Sequence, residues 1–320
     1  EMILKFPSRD IMNKLARSVL VLYSFDDNPD DVSIENVINQ SIRLIAQMPM
    51  LAAYGYIAHD HYHCNGNLFI NRPDPNLSYA ENFLHVLRKD GKFTKLEAEV
   101  LDLCLVLHAE HGGGNNSSFT THVVSSSGTD TYSSVAASIG SLKGPKHGGA
   151  NLRVMDMMED LINSIDNFES EEQIEEYLTK VVKKEANDKS GLIYGFGHAV
   201  YTLSDPRAVI LKKKAKDLAE ESGNSDIFML YDKVEKIAPE VLKKAKKGDK
   251  DVCANVDFYS GLVYKMLQIP KDLYTPIFAM ARIVVWSAHR IEEIIFKPKI
   301  MRPAYKNVCQ SKEYIDIENR

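Results

Sequence analysis

Apolar residues recur at helical spacing through most of the chain. The clearest run is Thr94 to His108, where Leu96, Val100, Leu101, Leu103, Cys104 and Leu107 make one face. The same pattern predicts helices over 8–22, from a Ser33 N-cap to about Met48, over 50–59, and from Ser78 to Leu87. It continues over 132–142, around Leu152, Met155, Met157, Met158 and Leu161, then over 175–184, 206–220, 231–245 and 274–293, with a short apolar stretch over 262–267. Start signals agree. Glu81 stands three residues after Ser78, as in a capping box, and Asp205 precedes Pro206 as an N-cap precedes an N1 proline. Residues 117–134 are rich in Ser and Thr but interleave Phe119, Val123 and Val124. That interleaving predicts a buried helix packed through small side chains rather than a linker. Continuous strand patterns are absent, so the predicted fold class is all-α.

Composition narrows the function classes. The chain has 320 residues, 44% hydrophobic and 26% charged, which allows two domains or one with an inserted lobe. A net charge of -5 gives no basic signal for nucleic acid. No apolar run approaches the ~18–20 residues of a membrane span. Four scattered cysteines (Cys64, Cys104, Cys253, Cys309) without a CxxC suggest reduced thiols and a cytoplasmic protein. The chain opens at Glu1 in polar sequence, and a preceding segment is expected.

The candidate chemistry centres on three segments. His147 sits in Gly144-Pro145-Lys146-His147-Gly148-Gly149-Ala150-Asn151, a glycine-flanked turn between two helical patterns. Pro145 ends the first helix, and Gly148-Gly149 allow backbone to approach closely. A histidine near a helix start suits anion binding or polarising a carbonyl. His198 occupies a second glycine-rich loop. Asp257 lies among Val256, Phe258 and Tyr259, where desolvation disfavours its charged form and makes it a better base; it is equally a candidate N-cap. An acid of that kind abstracts a proton beside a carbonyl only if a donor stabilises the enolate oxygen. Arg207, Arg282 and Arg302 are candidates for holding carboxylates, or simple helix-end charges. Arg282 is the hardest to explain away, because it lies on a very apolar helix. His108 and His111 are three apart and so share a face; His111 could also be a helix C-terminal cation. His59, His61, His63 and Cys64 carry metal-ligand chemistry, but i, i+2 spacing points them apart, so no metal site is assigned. His289 is expected to be a packed histidine. Gly195-Phe196-Gly197 lacks a preceding strand and a third glycine, and there is no Walker loop or GxSxG.

In order along the chain, these motifs resemble the citrate synthase family, from about residue 8 to residue 307. The His147 loop resembles the family's first catalytic histidine loop. Tyr194-Gly195-Phe196-Gly197-His198-Ala199-Val200-Tyr201 with Asp205-Pro206-Arg207 resembles the second. Asn255-Val256-Asp257-Phe258-Tyr259-Ser260-Gly261 resembles the catalytic aspartate segment, and His108-Ala109-Glu110-His111 and Arg302-Pro303 match two further signatures.

The resemblance implies a mostly helical homodimer with a large domain (1–149 and 263–320) and a smaller mobile domain (150–262). It implies condensation of acetyl-CoA with oxaloacetate, then hydrolysis of citryl-CoA, with no metal and no permanently bound cofactor. Asp257 would take the methyl proton, His147 would hydrogen-bond the thioester oxygen, and His198 would polarise and protonate the oxaloacetate carbonyl. His111, Arg207 and Arg282 would be dicarboxylate ligands, and Arg302 would reach the partner subunit's site. Gly195, Phe196 and Gly197 would lie against the CoA adenine. Two departures stand out. The family's further N-terminal region is not seen, and the run after His198 carries no basic residue, leaving Lys143, Lys146 and Lys212 to Lys214 as candidate CoA phosphate ligands by charge alone. The alternatives are 2-methylcitrate synthase acting on propionyl-CoA, and a non-catalytic helical binding protein or inactive fragment of the fold.

Overall fold

The computed structural model describes the chain except residues 1, 198–200, 202, 247–251 and 297–298. The described residues form thirteen α-helices, short 3-10 turns and one isolated bridge between Phe196 and Ala254. The helices are α1 (Met2–Lys5), α2 (Ile11–Leu22), α3 (Ile34–Cys64), α4 (Tyr79–Leu87), α5 (Lys95–Ala109), α6 (Asn116–Ser125) and α7 (Thr131–Lys143). They continue as α8 (Ala150–Ser164), α9 (Glu171–Val182), α10 (Pro206–Ser222), α11 (Ser225–Lys246), α12 (Val256–Met266) and α13 (Tyr274–Phe296). The all-α expectation holds. Among the described residues, no helix is long and apolar enough to cross a membrane.

The α13 helix is the axis of the first core, packing against α3, α5, α6 and α7. Ile277, Ala279, Ile283 and Trp286 are fully buried on it. Arg290, also buried, donates to Thr131 Oγ1 (3.1 Å), Ser125 Oγ (3.3 Å) and the Thr129 carbonyl (2.7 Å), and so ties α13 to the α6–α7 turn. Helices α8 to α12 pack mainly on one another: α8 on α9 and α12, α11 on α9 and α10, and α10 on α12. Both α10 and α12 also meet α5.

Packing explains where element boundaries depart from the sequence pattern. The helices expected over 33–48 and 50–59 are one, α3, with Pro49 inside it. A mid-helix proline costs about 3 kcal/mol. Leu44, Met48, Leu51, Ala52 and Ala53 are buried on both sides of it, and each large apolar side chain buried contributes about 1.5–3 kcal/mol. The continuous apolar face outweighs the missing N–H. The Ser/Thr-rich segment is buried helix as expected, but as two helices. The Thr121 and Ser138 hydroxyls meet at 2.7 Å, and those of Ser125 and Ser134 at 3.0 Å. Hydroxyls paired across α6 and α7 satisfy one another, which allows the close approach. Helix α11 starts six residues before the expected 231, and the short apolar stretch 262–267 is the end of α12. Residue 262, the expected domain boundary, therefore lies inside a continuous helix.

The bridge beside α12 positions its start. The Asn255 N–H donates to the Gly195 carbonyl (2.9 Å), and the Gly197 N–H to the Cys253 carbonyl (2.9 Å). Gly195 has φ +82°, and a Cβ there would lie 2.8 Å from the Phe258 ring and 2.9 Å from Val154. Left-handed strain and overpacking each cost on the order of 1–3 kcal/mol. Gly195→Ala should therefore lower stability by about 3 kcal/mol; an unchanged guanidinium unfolding midpoint would show that the segment yields instead.

Candidate active site

A cavity of about 130 Å³ opens where four helices begin. Asn115 caps α6, Gly149 precedes α8, Asp205 caps α10 and Asn255 caps α12. Asn115, Ala150, Arg207 and Asn255 all line the space. Each helix start carries roughly half a unit of positive charge on its unpaired N–H groups, so the cavity favours an anion.

Two guanidinium groups add to that field. Arg282 reaches the cavity from α13 and is 5% exposed. Its Nε donates to the His108 carbonyl at 2.5 Å, while Nη1 is buried with no hydrogen-bond partner among the described residues. A buried unpaired N–H on a cation is costly, and a carboxylate ligand would satisfy it. Burial pushes the guanidinium down to about 10. Arg207 is held differently. Its Nε and Nη2 donate to the two oxygens of Asp205 (3.1 and 2.8 Å), and Nη1 lies 3.2 Å from His111 Nδ1. Asp205 is 1% exposed and also accepts the Arg207 N–H (3.0 Å) and the Val256 N–H (3.2 Å). Burial opposes its charge, but the bonds and charge of Arg207 win and hold the carboxyl below its ordinary range.

Asp257 lies on the first turn of α12 and faces the cavity. It is not the cap: Asn255 accepts the Asp257 N–H at 3.0 Å. Burial raises its carboxyl to about 6; Arg207 and Arg282 pull it down, and Asp205 pushes it up. The helix start alone favours the carboxylate by about 0.3–1 kcal/mol, so desolvation dominates. His147 enters from the turn before α8. Its N–H donates to the Gly144 carbonyl (2.8 Å). Gly148 permits this turn, since a Cβ there would lie 2.3 Å from the Leu142 carbonyl oxygen. His147 Nε2 faces the Ser117 N–H (3.3 Å) and hydroxyl (3.1 Å). A backbone N–H only donates, so Nε2 is the acceptor and Nδ1 carries the ring proton. Burial, reinforced by Arg282, lowers the imidazole from its ordinary value, which keeps it neutral near pH 7. A carboxyl raised by burial and an imidazole lowered by it thus share one cavity.

His111, His147, Arg207, Asp257 and Arg282 all line this cavity. His111 is off the helix, because α5 ends at Ala109, so it does not share a helical face with His108. His108 turns inward, stacked on Phe278 at 3.9 Å, and burial drives its imidazole down to about 3. Arg302 is exposed and does not line this chain's cavity. Gly195, Phe196 and Gly197 brace the start of α12 and do not line it either. His198 lies outside the described residues. Sequence reasoning missed Ser117, Asn115 and Asn255, and saw in Asp205 only a cap. For Asn255 the available signal was an Asn two residues before the candidate base Asp257. Nothing local marked Ser117.

Residues 1–304 match the family model described as citrate synthase, C-terminal domain. A citrate synthase of Synechocystis is 41% identical over 263 residues, 82% of this chain and 59% of that protein. One from Deinococcus radiodurans is 36% identical over 310 residues, 97% of this chain and 75% of that protein. The chain thus spans roughly three-fifths to three-quarters of these relatives' lengths. Among solved structures, the Thermotoga maritima citrate synthase superposes with TM-score 0.76 at 30% identity, covering 100% of this chain and 77% of that one. The Thermoplasma acidophilum enzyme, solved as a ternary complex with carboxymethyl coenzyme A and oxaloacetate, superposes with TM-score 0.79 at 24% identity, covering 99% and 78%, and shows the shared fold. With a family model matched over nearly its whole length and a relative 36% identical over 97% of it, the chain belongs to the citrate synthase family.

Proposed function

We propose that this chain condenses acetyl-CoA with oxaloacetate and hydrolyses the resulting citryl-CoA to citrate and CoA. The reading rests on one observation above the others: Asp257, raised to about 6, shares an arginine-lined cavity with a neutral His147. Arg282 and Arg207 hold the oxaloacetate carboxylates, with His111 beside Arg207. Asp257 removes a methyl proton from the acetyl group, and the Nδ1–H of His147 hydrogen-bonds the thioester oxygen as charge develops there. The new C–C bond forms as the enol carbon attacks the oxaloacetate carbonyl, and His198 is proposed to protonate the carbonyl oxygen. Water then cleaves the thioester, releasing the CoA thiol. The arginines and helix starts supply the electrostatics, so this scheme uses no metal and no resident cofactor.

The proposal extends to assembly. Residues 150–262, with the remainder of α12 moving as one with them, form a mobile lobe whose closure excludes water while the enol forms. Two copies of the chain associate, and Arg302 enters the partner's cavity. Its exposure, on a segment that also exposes Tyr305 and Val308, supports that reading. Gly195 to Gly197 lie near the CoA adenine. Four cysteines without a disulfide suit a reducing compartment such as the cytoplasm.

Thiol release should depend on oxaloacetate and be faster from acetyl-CoA than from propionyl-CoA. Faster release from propionyl-CoA would make the chain a 2-methylcitrate synthase, a difference one methylene can set at about 1–3 kcal/mol. No release from the full-length protein would favour a non-catalytic role. Below about pH 6, kcat/KM should fall tenfold per pH unit as Asp257 is protonated. Asp257→Asn should remove turnover at least a hundredfold. The same substitution should stabilise the fold above pH 6. The folded pKa is raised, so this group's stabilising contribution is full below about pH 4 and lost as pH rises through 6. The gain should be on the order of 2 kcal/mol, and a destabilised Asn variant at pH 8 would contradict it.

If Arg302 serves the partner's site, Arg302→Ala and His147→Ala subunits, each inactive alone, should regain part of the wild-type turnover when mixed. Verified heterodimers without recovery would assign Arg302 to its own chain or to no site.

A further inference from the structure

A second group of chemistry-bearing side chains lies outside the cavity, where α6 meets α13. One ring nitrogen each of His122 and His289 and one carboxylate oxygen of Glu292 lie within 4.8 Å of one another. The two imidazole rings are 4.7 Å apart. His122 Nδ1 is 2.8 Å from Oε2 of Glu293, whose side chain is 7% exposed. A carboxylate only accepts, so Nδ1 carries the proton and Nε2 presents its lone pair. This carboxylate–imidazole arrangement fixes a metal-binding tautomer. His289 offers two edges. Nδ1 stands 3.2 Å from Glu292, and Nε2 is buried with no hydrogen-bond partner among the described residues. Gly113 keeps the adjoining space open: a Cβ there would sit 3.6 Å from His122 Nε2 and 3.9 Å from His289 Nε2.

We propose that His122, His289 and Glu292 form a binding site for a borderline divalent transition ion such as Zn²⁺. Two imidazoles and one carboxylate select such an ion over Mg²⁺ or Ca²⁺, which take oxygen ligands. Four-coordinate zinc sets its ligand atoms about 3.3 Å apart, so the group must tighten by on the order of 1 Å. Glu292, 52% exposed at its side chain, has room to do this by a rotamer change, and water fills the open position. The site adjoins the loop that carries His111. Glu110 accepts the N–H groups of His111 and Gly112 through one oxygen, and its other oxygen lies 3.8 Å from His289 Nε2. A bound ion is therefore one side chain away from the His111 backbone.

The test is a titration of chelator-stripped protein with Zn²⁺ against a chromophoric chelator, with Mg²⁺ as control. Wild-type protein should bind one Zn²⁺ tightly at this position, and Co²⁺ should give visible absorption typical of a four-coordinate site. His289→Ala and the fold-safe Glu292→Gln should each weaken that binding at least tenfold, with circular dichroism melts showing that both variants fold. A double His61→Ala/His63→Ala variant, which removes the other histidine cluster, should leave it unchanged. Wild-type Zn²⁺ affinity in folded Glu292→Gln and His289→Ala, loss of binding in the His61/His63 variant, or no Zn²⁺ binding at all would each overturn the proposal.

Discussion

The site depends on one buried carboxylate. Asp205 caps α10, pairs with Arg207 through both oxygens, and accepts the N–H of Val256 at the start of α12. Three things are thus fixed by one side chain: where α10 begins, which way the Arg207 guanidinium faces, and where α12 begins relative to both. Asp257 is the next residue along. Removing one partner of a buried ion pair leaves the other charge unsatisfied and typically costs 3–5 kcal/mol, so this geometry is rigidly specified. The glycine bridge from Gly195 to Gly197 braces the same point from the other side, through the Asn255 N–H and its side-chain bond to the Gly197 carbonyl (3.1 Å).

The electrostatics of the cavity result from opposed effects. Four helix starts and two arginines favour negative charge, which would by itself hold Asp257 fully ionised and unreactive. Burial works against this and wins, raising the carboxyl to about 6. The same burial lowers His147, His108 and Arg282. A site that desolvates cations and anions alike leaves the acid basic and the imidazoles neutral. Both consequences bear on the proposed proton abstraction: a carboxyl raised by burial is a better base, and a neutral imidazole can donate one hydrogen bond.

Helical periodicity made the all-α fold legible, and paired histidine, arginine and aspartate motifs made most of the cavity legible. What was hidden shares a physical cause. Pro49 in α3 and the hydroxyl pairs between α6 and α7 are decided by packing against distant residues, which local pattern does not encode. Ser117 is 30 positions from His147, and its value lies in a backbone N–H that every residue but proline possesses. His111 was legible as chemistry but misplaced as geometry, since the break after Ala109 depends on Glu110 turning back to accept the His111 and Gly112 N–H groups. That turn is a tertiary choice between continuing α5 and satisfying a loop.

Arg282 shows why such a site is kept despite its cost. It sits on a largely buried helix, with one N–H group committed to the His108 carbonyl and Nη1 without a partner among the described residues. A protein selected for stability alone would gain by replacing it with an apolar side chain of similar volume. In the proposed reaction the unsatisfied donor is a reserve of binding energy for a substrate carboxylate. Because His108, stacked on Phe278, presents the carbonyl that aims Arg282, the arrangement is rigid before any ligand enters. Preorganisation of this kind lets an anion bind without first ordering the side chains that hold it.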